Sequence, residues 1–266
     1  MLNSSDRTFC SAKVAFLNEN DSSVKYVCYL RLMFRFKQFN VDQTGCAMKI
    51  NTDGVLLGAL SDADQPKIIL DIGTGTGVIA LMLAQRFAEA QIDAVEIDET
   101  AAKTAGRNFE GSPFASRLNL YADDFEGYFN KYPEKKYDLI VSNPPFYINA
   151  LESPTANKTL AKHTDGHFFE TLIISVQKHL TGEGELCIIL PLSTAQLVKV
   201  IAVDKGLNLK QAINILSYPD SEPHREILVF TLSDEKKIDE WFVIYDEPKV
   251  YSQQYQEALK PFFTIF

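Results

Sequence analysis

The sequence is poor in the residues that cross-link a chain or bind metal, with four cysteines and four histidines in 266 residues. Cys10, Cys28, Cys46 and Cys187 form no Cys-x-x-Cys pair, and no histidine stands at metal-ligand spacing. That excludes a disulfide framework or a zinc site as the basis of the fold and leaves reduced thiols as the expectation. No run of about 18 apolar residues is present, so no membrane-spanning helix is expected. The most apolar early run, Val27 to Phe34, is broken by Arg31 and does not read as a secretory leader. The protein is expected in the cytoplasm. Basic residues are also in deficit, 26 against 35 acids for a net charge of −9. This argues against general electrostatic adhesion to nucleic acid but leaves room for a local basic patch. Internal repeats and low-complexity tracts are absent.

From Lys67 onward, strand-like and helix-like segments alternate. Seven strands are expected, near Lys67–Asp71, Ile92–Glu96, Arg117–Tyr121, Tyr137–Ser142, Glu185–Leu190, Leu207–Leu216 and Glu226–Leu232. Helical segments such as Val78–Phe87, Glu99–Phe109, Phe168–Leu180 and Thr194–Val203 separate most of them. Strands joined by helical crossovers imply an α/β, doubly wound, mostly parallel sheet. Only a proline-bearing turn precedes the last strand, so that strand is expected to return antiparallel. Residues 1–32 lack sustained periodicity and read as a disordered leader or a mis-called start.

Asp71-Ile-Gly73-Thr-Gly75-Thr-Gly77 lies between the first of these strands and its helix. Glycine there allows positive φ and close approach of backbone to a ligand. The third glycine comes one residue too early for a dinucleotide fingerprint. An acid before the loop suits a cationic, phosphate-free ligand, whose ammonium group Asp71 could engage directly or through water. Glu96 ends the second strand about twenty residues later, placed to accept from both hydroxyls of a ribose. Asp123 ends the third strand and could accept from an adenine amine.

The fourth strand ends in Ser142-Asn143-Pro144-Pro145-Phe146. Two prolines remove two backbone donors and stiffen the segment. An exocyclic amine on a base is a weak nucleophile because its lone pair is delocalised into the ring. If the Asn143 side-chain oxygen and the Pro144 carbonyl accept its two hydrogens, the nitrogen moves toward tetrahedral geometry and the lone pair is freed. Phe146 offers a flat face for the extruded base.

These motifs resemble those of the Rossmann-like S-adenosylmethionine methyltransferases over roughly residues 66–232. More closely, from about Phe34 to Phe266, the chain resembles the bacterial tRNA(Val) adenine-N6 methyltransferase family. The closer likeness rests on Phe36-Lys-Gln-Phe39, Cys46-Ala-Met-Lys49, Thr52-Asp53-Gly54-Val-Leu-Leu-Gly58, Asp71 to Gly77, Leu81 to Arg86, Asp93-Ala-Val-Glu96, Asn143 to Phe146 and Pro223-His224-Arg225. The resemblance implies an S-adenosylmethionine-dependent enzyme acting on the adenosine 3′ of the anticodon, with tRNA as partner, no metal, and a monomeric state. It implies a lid over cofactor and substrate at residues 33–65 and a methyltransferase domain at 66–266. Asn143, Pro144, Pro145 and Phe146 would be catalytic. Thr52, Asp53 and Gly54 would line the methionine end of the cofactor, beside Asp71, Gly73, Gly75, Gly77, Glu96 and Asp123. Tyr is the family's commoner residue at position 146, and Phe there is shared with guanine-N2 methyltransferases of ribosomal RNA. That activity stays open as an alternative, as do protein glutamine methylation and a catalytically silent RNA-binding module.

For RNA contact, the stretch from Arg31 to Lys49 has four bases (Arg31, Arg35, Lys37, Lys49) against one acid, Asp42, interleaved with Phe34, Phe36 and Phe39. Basic residues among aromatics suit phosphate contact and stacking, although alternate Phe residues could equally belong to the core. Tyr147, Lys162, His224 and Arg225 complete the expected substrate-binding set.

Overall fold

A computed structural model describes the backbone of residues 33–145 and 158–266, with side chains for all of these except 158–165. The expected leader, Phe146 and Tyr147, and the Lys162 side chain lie outside the described residues. Two short strands, β1 (Met33–Arg35) and β2 (Asn40–Asp42), precede helix α1 (Thr52–Leu60). Next come β3 (Ile68–Ile72), α2 (Val78–Arg86), β4 (Gln91–Glu96), α3 (Glu99–Glu110), β5 (Leu118–Ala122), α4 (Phe125–Lys131) and β6 (Tyr137–Ser142). After them lie α5 (Lys158–His179), β7 (Leu180–Pro191), α6 (Leu192–Asp204), β8 (Asn208–Leu216), β9 (Arg225–Thr231) and β10 (Ile238–Val243). A small pair, β11 (Tyr245–Glu247) and β12 (Val250–Tyr251), and helix α7 (Gln253–Leu259) close the chain.

The main sheet has the order β10-β8-β9-β7-β6-β3-β4-β5, with β9 alone antiparallel to its neighbours. It is the expected doubly wound α/β sheet with one strand added. The eighth strand, β10, extends the edge by running parallel to β8. Its first four residues, Ile-Asp-Glu-Trp, are all exposed, so it shows none of the alternation that marks a half-buried strand. Gln254 on α7 covers part of the open edge: its side chain accepts from the Val243 amide (3.0 Å) and donates to the Trp241 carbonyl (3.3 Å). That satisfies backbone groups that an edge strand otherwise offers to another chain.

Alternate residues of the central strands enter two apolar layers. Ile69, Leu139 and Val141 join one cluster, and Leu70, Ile72 and Ile140 the other. The β3 strand is therefore buried on both faces, the reason its sequence is apolar except for Asp71. The α2 helix buries every residue from Val78 to Ala84 beneath the sheet's first face, and each large apolar side chain so covered contributes roughly 1.5–3 kcal/mol.

The segment before β3 belongs to the same core. Phe36 and Phe39 are buried and stacked 4.5 Å apart, and Phe36 forms a β-bridge with Phe263 near the C-terminus. Residues Phe34–Phe266 form one compact unit. A Cβ on Gly58 would meet Met82 Sδ at 2.9 Å, so α1 lies directly against α2. Among the described residues no helix is long and apolar enough to cross a membrane.

The order of the central strands decides where a ligand can sit. From β3 the chain winds outward through β4 and β5, then returns to place β6 on the other side of β3. A crevice opens at such a reversal, outside the carboxyl ends of the strands. Register aligns those ends, with Ile72 opposite both Val95 and Ser142. Gly73, Ile97, Asp123 and Asn143 thus emerge along one rim.

Candidate active site

Gly73, Gly75 and Gly77 all have positive φ (73°, 56° and 82°). They differ in what surrounds them. A Cβ on Gly73 or Gly75 would meet nothing within 4 Å, whereas one on Gly77 would lie 2.5 Å from Phe109 of α3. The first two glycines leave bare backbone facing the crevice. The third lets α2 and α3 meet.

The loop is held from below. Asp71 Oδ2 accepts from the Thr74 hydroxyl (2.6 Å) and the Ala80 amide (3.2 Å). The Asp71 side chain is fully buried, and its Oδ1 has no hydrogen-bond partner among the described residues. Burial pushes its pKa up to about 7, against the lowering effect of the bonds from Thr74 and Ala80. Glu96 clamps the loop from β4: Oε2 accepts from the Gly75 amide (2.8 Å) and Oε1 from the Asp98 amide (2.9 Å). An ionised carboxylate has about four acceptor positions, so these two bonds leave capacity for ligand hydroxyls.

Two adjoining cavities share Gly73. The larger, about 690 Å³, is lined by Ile97, Asp123, Phe125, Pro144, Pro145 and Phe168, among others. Its apolar wall suits a flat heterocycle: Ile97 is 73% exposed and Phe168 meets Phe125 edge-on, with ring centroids 5.7 Å apart. Asp123 stands at its rim, bonded to Lys131 (2.6 Å) and to the Asp124 amide (3.0 Å). Lys131 holds this carboxyl below the usual carboxylate range. Gly127 makes room for it, since a Cβ there would come 2.7 Å from Asp123 Oδ1.

The smaller recess, about 40 Å³, lies between residues 48–51 and Gly54 on one side and Gly73 to Thr76 on the other. Asn143 borders this recess, while Pro144 and Pro145 border the larger cavity. The Ser142 hydroxyl donates to the Ile72 carbonyl (3.0 Å) and pins the end of β6 to β3. Asn143 Oδ1 is buried and has no hydrogen-bond partner among the described residues. Leaving a buried acceptor unmade costs about 1–3 kcal/mol, so this atom is poised for a donor that the described residues do not supply.

The expected residues divide accordingly. Gly54, Gly73, Gly75, Asp123, Asn143, Pro144, Pro145 and Lys49 line the two cavities. Asp71, Gly77 and Glu96 shape the loop behind them. Thr52 starts α1, whose N-cap Asn51 accepts from the Gly54 amide. Asp53 pairs with Arg225 Nε at 2.9 Å, joining α1 to β9, and Glu226 pairs with Lys199. Beside Arg225, the His224 pKa is lowered, chiefly by desolvation.

Lys37 reaches the far end of the chain. Its ammonium donates to the carbonyls of Lys260 (2.6 Å) and Phe266 (2.9 Å) and ties the start of the fold to its end. The core alternative likewise holds for Phe36 and Phe39. Sequence reasoning passed over Ile97, Phe125, Lys131 and Phe168. The one available signal was Ile97, an apolar residue directly after Glu96 where the strand leaves the core. Among the described residues no group of three or more His, Cys, Asp or Glu is placed to hold a metal ion.

A crevice at the strand reversal, a glycine loop clamped by two acids and an Asn-Pro-Pro strand end define the Rossmann-like methyltransferase class. A model of the methyltransferase small domain matches residues 51–197. A Pedobacter heparinus protein named tRNA1(Val) (adenine(37)-N6)-methyltransferase is 48% identical over 233 residues, which are 88% of this chain and 98% of that one. A Flavobacterium psychrophilum protein of the same name is 40% identical, over 87% of this chain and 99% of its own. The chain belongs to this tRNA1(Val) (adenine(37)-N6)-methyltransferase family. Crystal structures of an Agrobacterium tumefaciens protein named as a predicted O-methyltransferase (TM-score 0.62, 16% identity, 79% of this chain and 96% of that one) and of a Pyrococcus furiosus methyltransferase (TM-score 0.51, 21% identity, 72% and 91%) share the fold.

Proposed function

We propose that this protein transfers the methyl group of S-adenosylmethionine to the exocyclic N6 amine of an adenine in tRNA, the adenosine 3′ of the anticodon. The observation that carries the reading is the orphaned Asn143 Oδ1, at the end of β6 beside the bare backbone of the glycine loop. The residues present fit the methyl donor: Gly73 and Gly75 leave room for it, Glu96 has acceptors for the ribose, and Ile97 and Phe125 flank a slot for the adenine. When bound, S-adenosylmethionine supplies an electrophilic methyl group on a sulfonium.

The chain's own part is to hold and orient the amine. Asn143 Oδ1 accepts one N–H and the Pro144 carbonyl the other, which draws the nitrogen out of conjugation and aims its lone pair. Both acceptors sit on a segment whose prolines fix φ, so little reorganisation is needed during reaction. No strong base is required, because the methylated amine is acidic and its proton passes to solvent. Phe146 gives the base a stacking face.

The test is nucleoside mass spectrometry of tRNA and of ribosomal RNA, each incubated with the purified protein and S-adenosylmethionine. N6-methyladenosine next to the anticodon is expected; N2-methylguanosine on ribosomal RNA instead would move the chain to the guanine-N2 class. Glu96→Ala is expected to weaken S-adenosylhomocysteine binding by about 1.5–3 kcal/mol, the scale of hydrogen bonds to a charged acceptor. Unchanged calorimetric affinity would remove Glu96 from the cofactor site.

A further inference from the structure

We propose that Lys49 holds the carboxylate at the amino-acid end of the methyl donor, in the recess between α1 and the glycine loop. The inference rests on reading the crevice as an S-adenosylmethionine site and deepens it. Size decides first. A water needs roughly 10–15 Å³ by a comparable measure, so a recess of about 40 Å³ takes a group the size of an amino-acid head and excludes a nucleotide.

Charge decides next. Among the described residues lining the two cavities, Lys49 is the sole lysine or arginine, while Asp123, Asp124 and Glu126 line the larger one. The floor of the recess is acidic as well. Glu96 sits under Gly75 at 2.8 Å and Asp71 under Thr74 at 2.6 Å. A carboxylate entering there meets two buried acids and needs a cation to offset them.

The neighbouring cations are committed elsewhere. Arg225 pairs with Asp53, Arg107 with Asp42, and Lys131 with Asp123. Lys49 is exposed and makes no ion pair among the described residues. The Gly54 amide at the start of α1 already donates to Asn51, which removes one alternative anion donor. RNA contact, the role expected of Lys49 from its place in a basic stretch, is therefore reassigned to cofactor contact.

The experiment compares two ligands by calorimetry on the full chain. S-adenosylhomocysteine has the amino-acid end; 5′-methylthioadenosine has the same adenosine thioether without it. Lys49→Met should weaken S-adenosylhomocysteine about 10- to 100-fold, the range for a hydrogen bond between charged groups. Methylthioadenosine affinity should stay within about twofold, and Lys49→Arg should recover most of the loss. Equal weakening of both ligands would overturn the assignment in favour of a general effect on the site. Unchanged S-adenosylhomocysteine affinity with a raised KM for tRNA would overturn it in favour of a phosphate contact. If the unaltered protein bound neither ligand, the cofactor reading itself would fall, and Lys49 with it.

Discussion

Asn143→Ala is expected to lower kcat by about two to three orders of magnitude, the scale seen when one preorganised transition-state hydrogen bond is deleted. Affinity for S-adenosylhomocysteine should stay within about twofold. The contrast follows from where Asn143 stands. The clamps on the glycine loop come from Asp71 and Glu96, and the β6 strand is pinned to β3 through Ser142, so none of these contacts involves the Asn143 side chain. Its Oδ1 has no partner among the described residues. Truncation therefore removes an interaction made with the amine and leaves the clamps on the glycine loop in place. Single-turnover kinetics with saturating tRNA separates this loss from binding, because an interaction made only in the transition state lowers kcat and kcat/KM together. An alanine variant that turned over at the normal rate would sink the amine-holding mechanism.

Asp93→Ala is expected to destabilise the fold by about 1–3 kcal/mol, the cost of leaving buried donors without their acceptor. Asp93, 4% exposed on β4, collects four donors: Lys135 Nζ (2.7 Å), the hydroxyls of Tyr128 and Tyr137 (2.9 Å each) and Asn119 Nδ2 (3.0 Å). Lys135 also lies over the rings of Tyr121, Tyr128 and Tyr132, 4.9–5.5 Å from their centroids. Burial works to lower the Lys135 pKa, but the bonds to Asp93, Tyr128 and Tyr121 outweigh it and the net direction is up. Burial raises both tyrosines, which stay protonated donors at neutral pH. Removing the carboxylate takes away the acceptor that all four share and leaves Lys135 only the hydroxyls of Tyr121 and Tyr128. Because Tyr128 lies on α4, whose first turn lines the larger cavity through Phe125, Glu126 and Gly127, cofactor affinity should fall as well. Urea denaturation is the measurement, and an unshifted midpoint would show that the cluster contributes little.

Asp93 illustrates how far spacing carries. It stands within the Asp93-Ala-Val-Glu96 stretch that helped mark the family resemblance, yet its neighbour Glu96 drew the functional reading. Alternation along β4 puts Glu96 and Asp93 on opposite faces of the sheet. Glu96 reaches the crevice loop, while Asp93 is sealed under α4 by tyrosines up to 44 residues away. The α4 helix itself, seven residues long, was too short to announce itself by periodicity. With it went Phe125 and Lys131, the residues that shape the larger cavity and hold Asp123. The edge strand β10 escaped for the related reason that almost none of it is buried.

By itself the sequence determined the features that depend on neighbouring residues. Glycines 73, 75 and 77 announced a backbone with positive φ, paired prolines announced a stiff strand end, and the alternation of strand-like and helix-like segments announced a doubly wound sheet. These are local steric demands, so they are written where they act. Only the tertiary structure decided what each residue does with its position. Gly77 has nearly the same φ as Gly73, but Phe109 fills the space beside one and a cavity lies beside the other. Lys37 and Lys49 sit in one basic stretch, yet the first is spent on carbonyls more than two hundred residues later and the second borders the crevice. Exposure and pairing arise from contacts between distant segments, and spacing along the chain does not carry them.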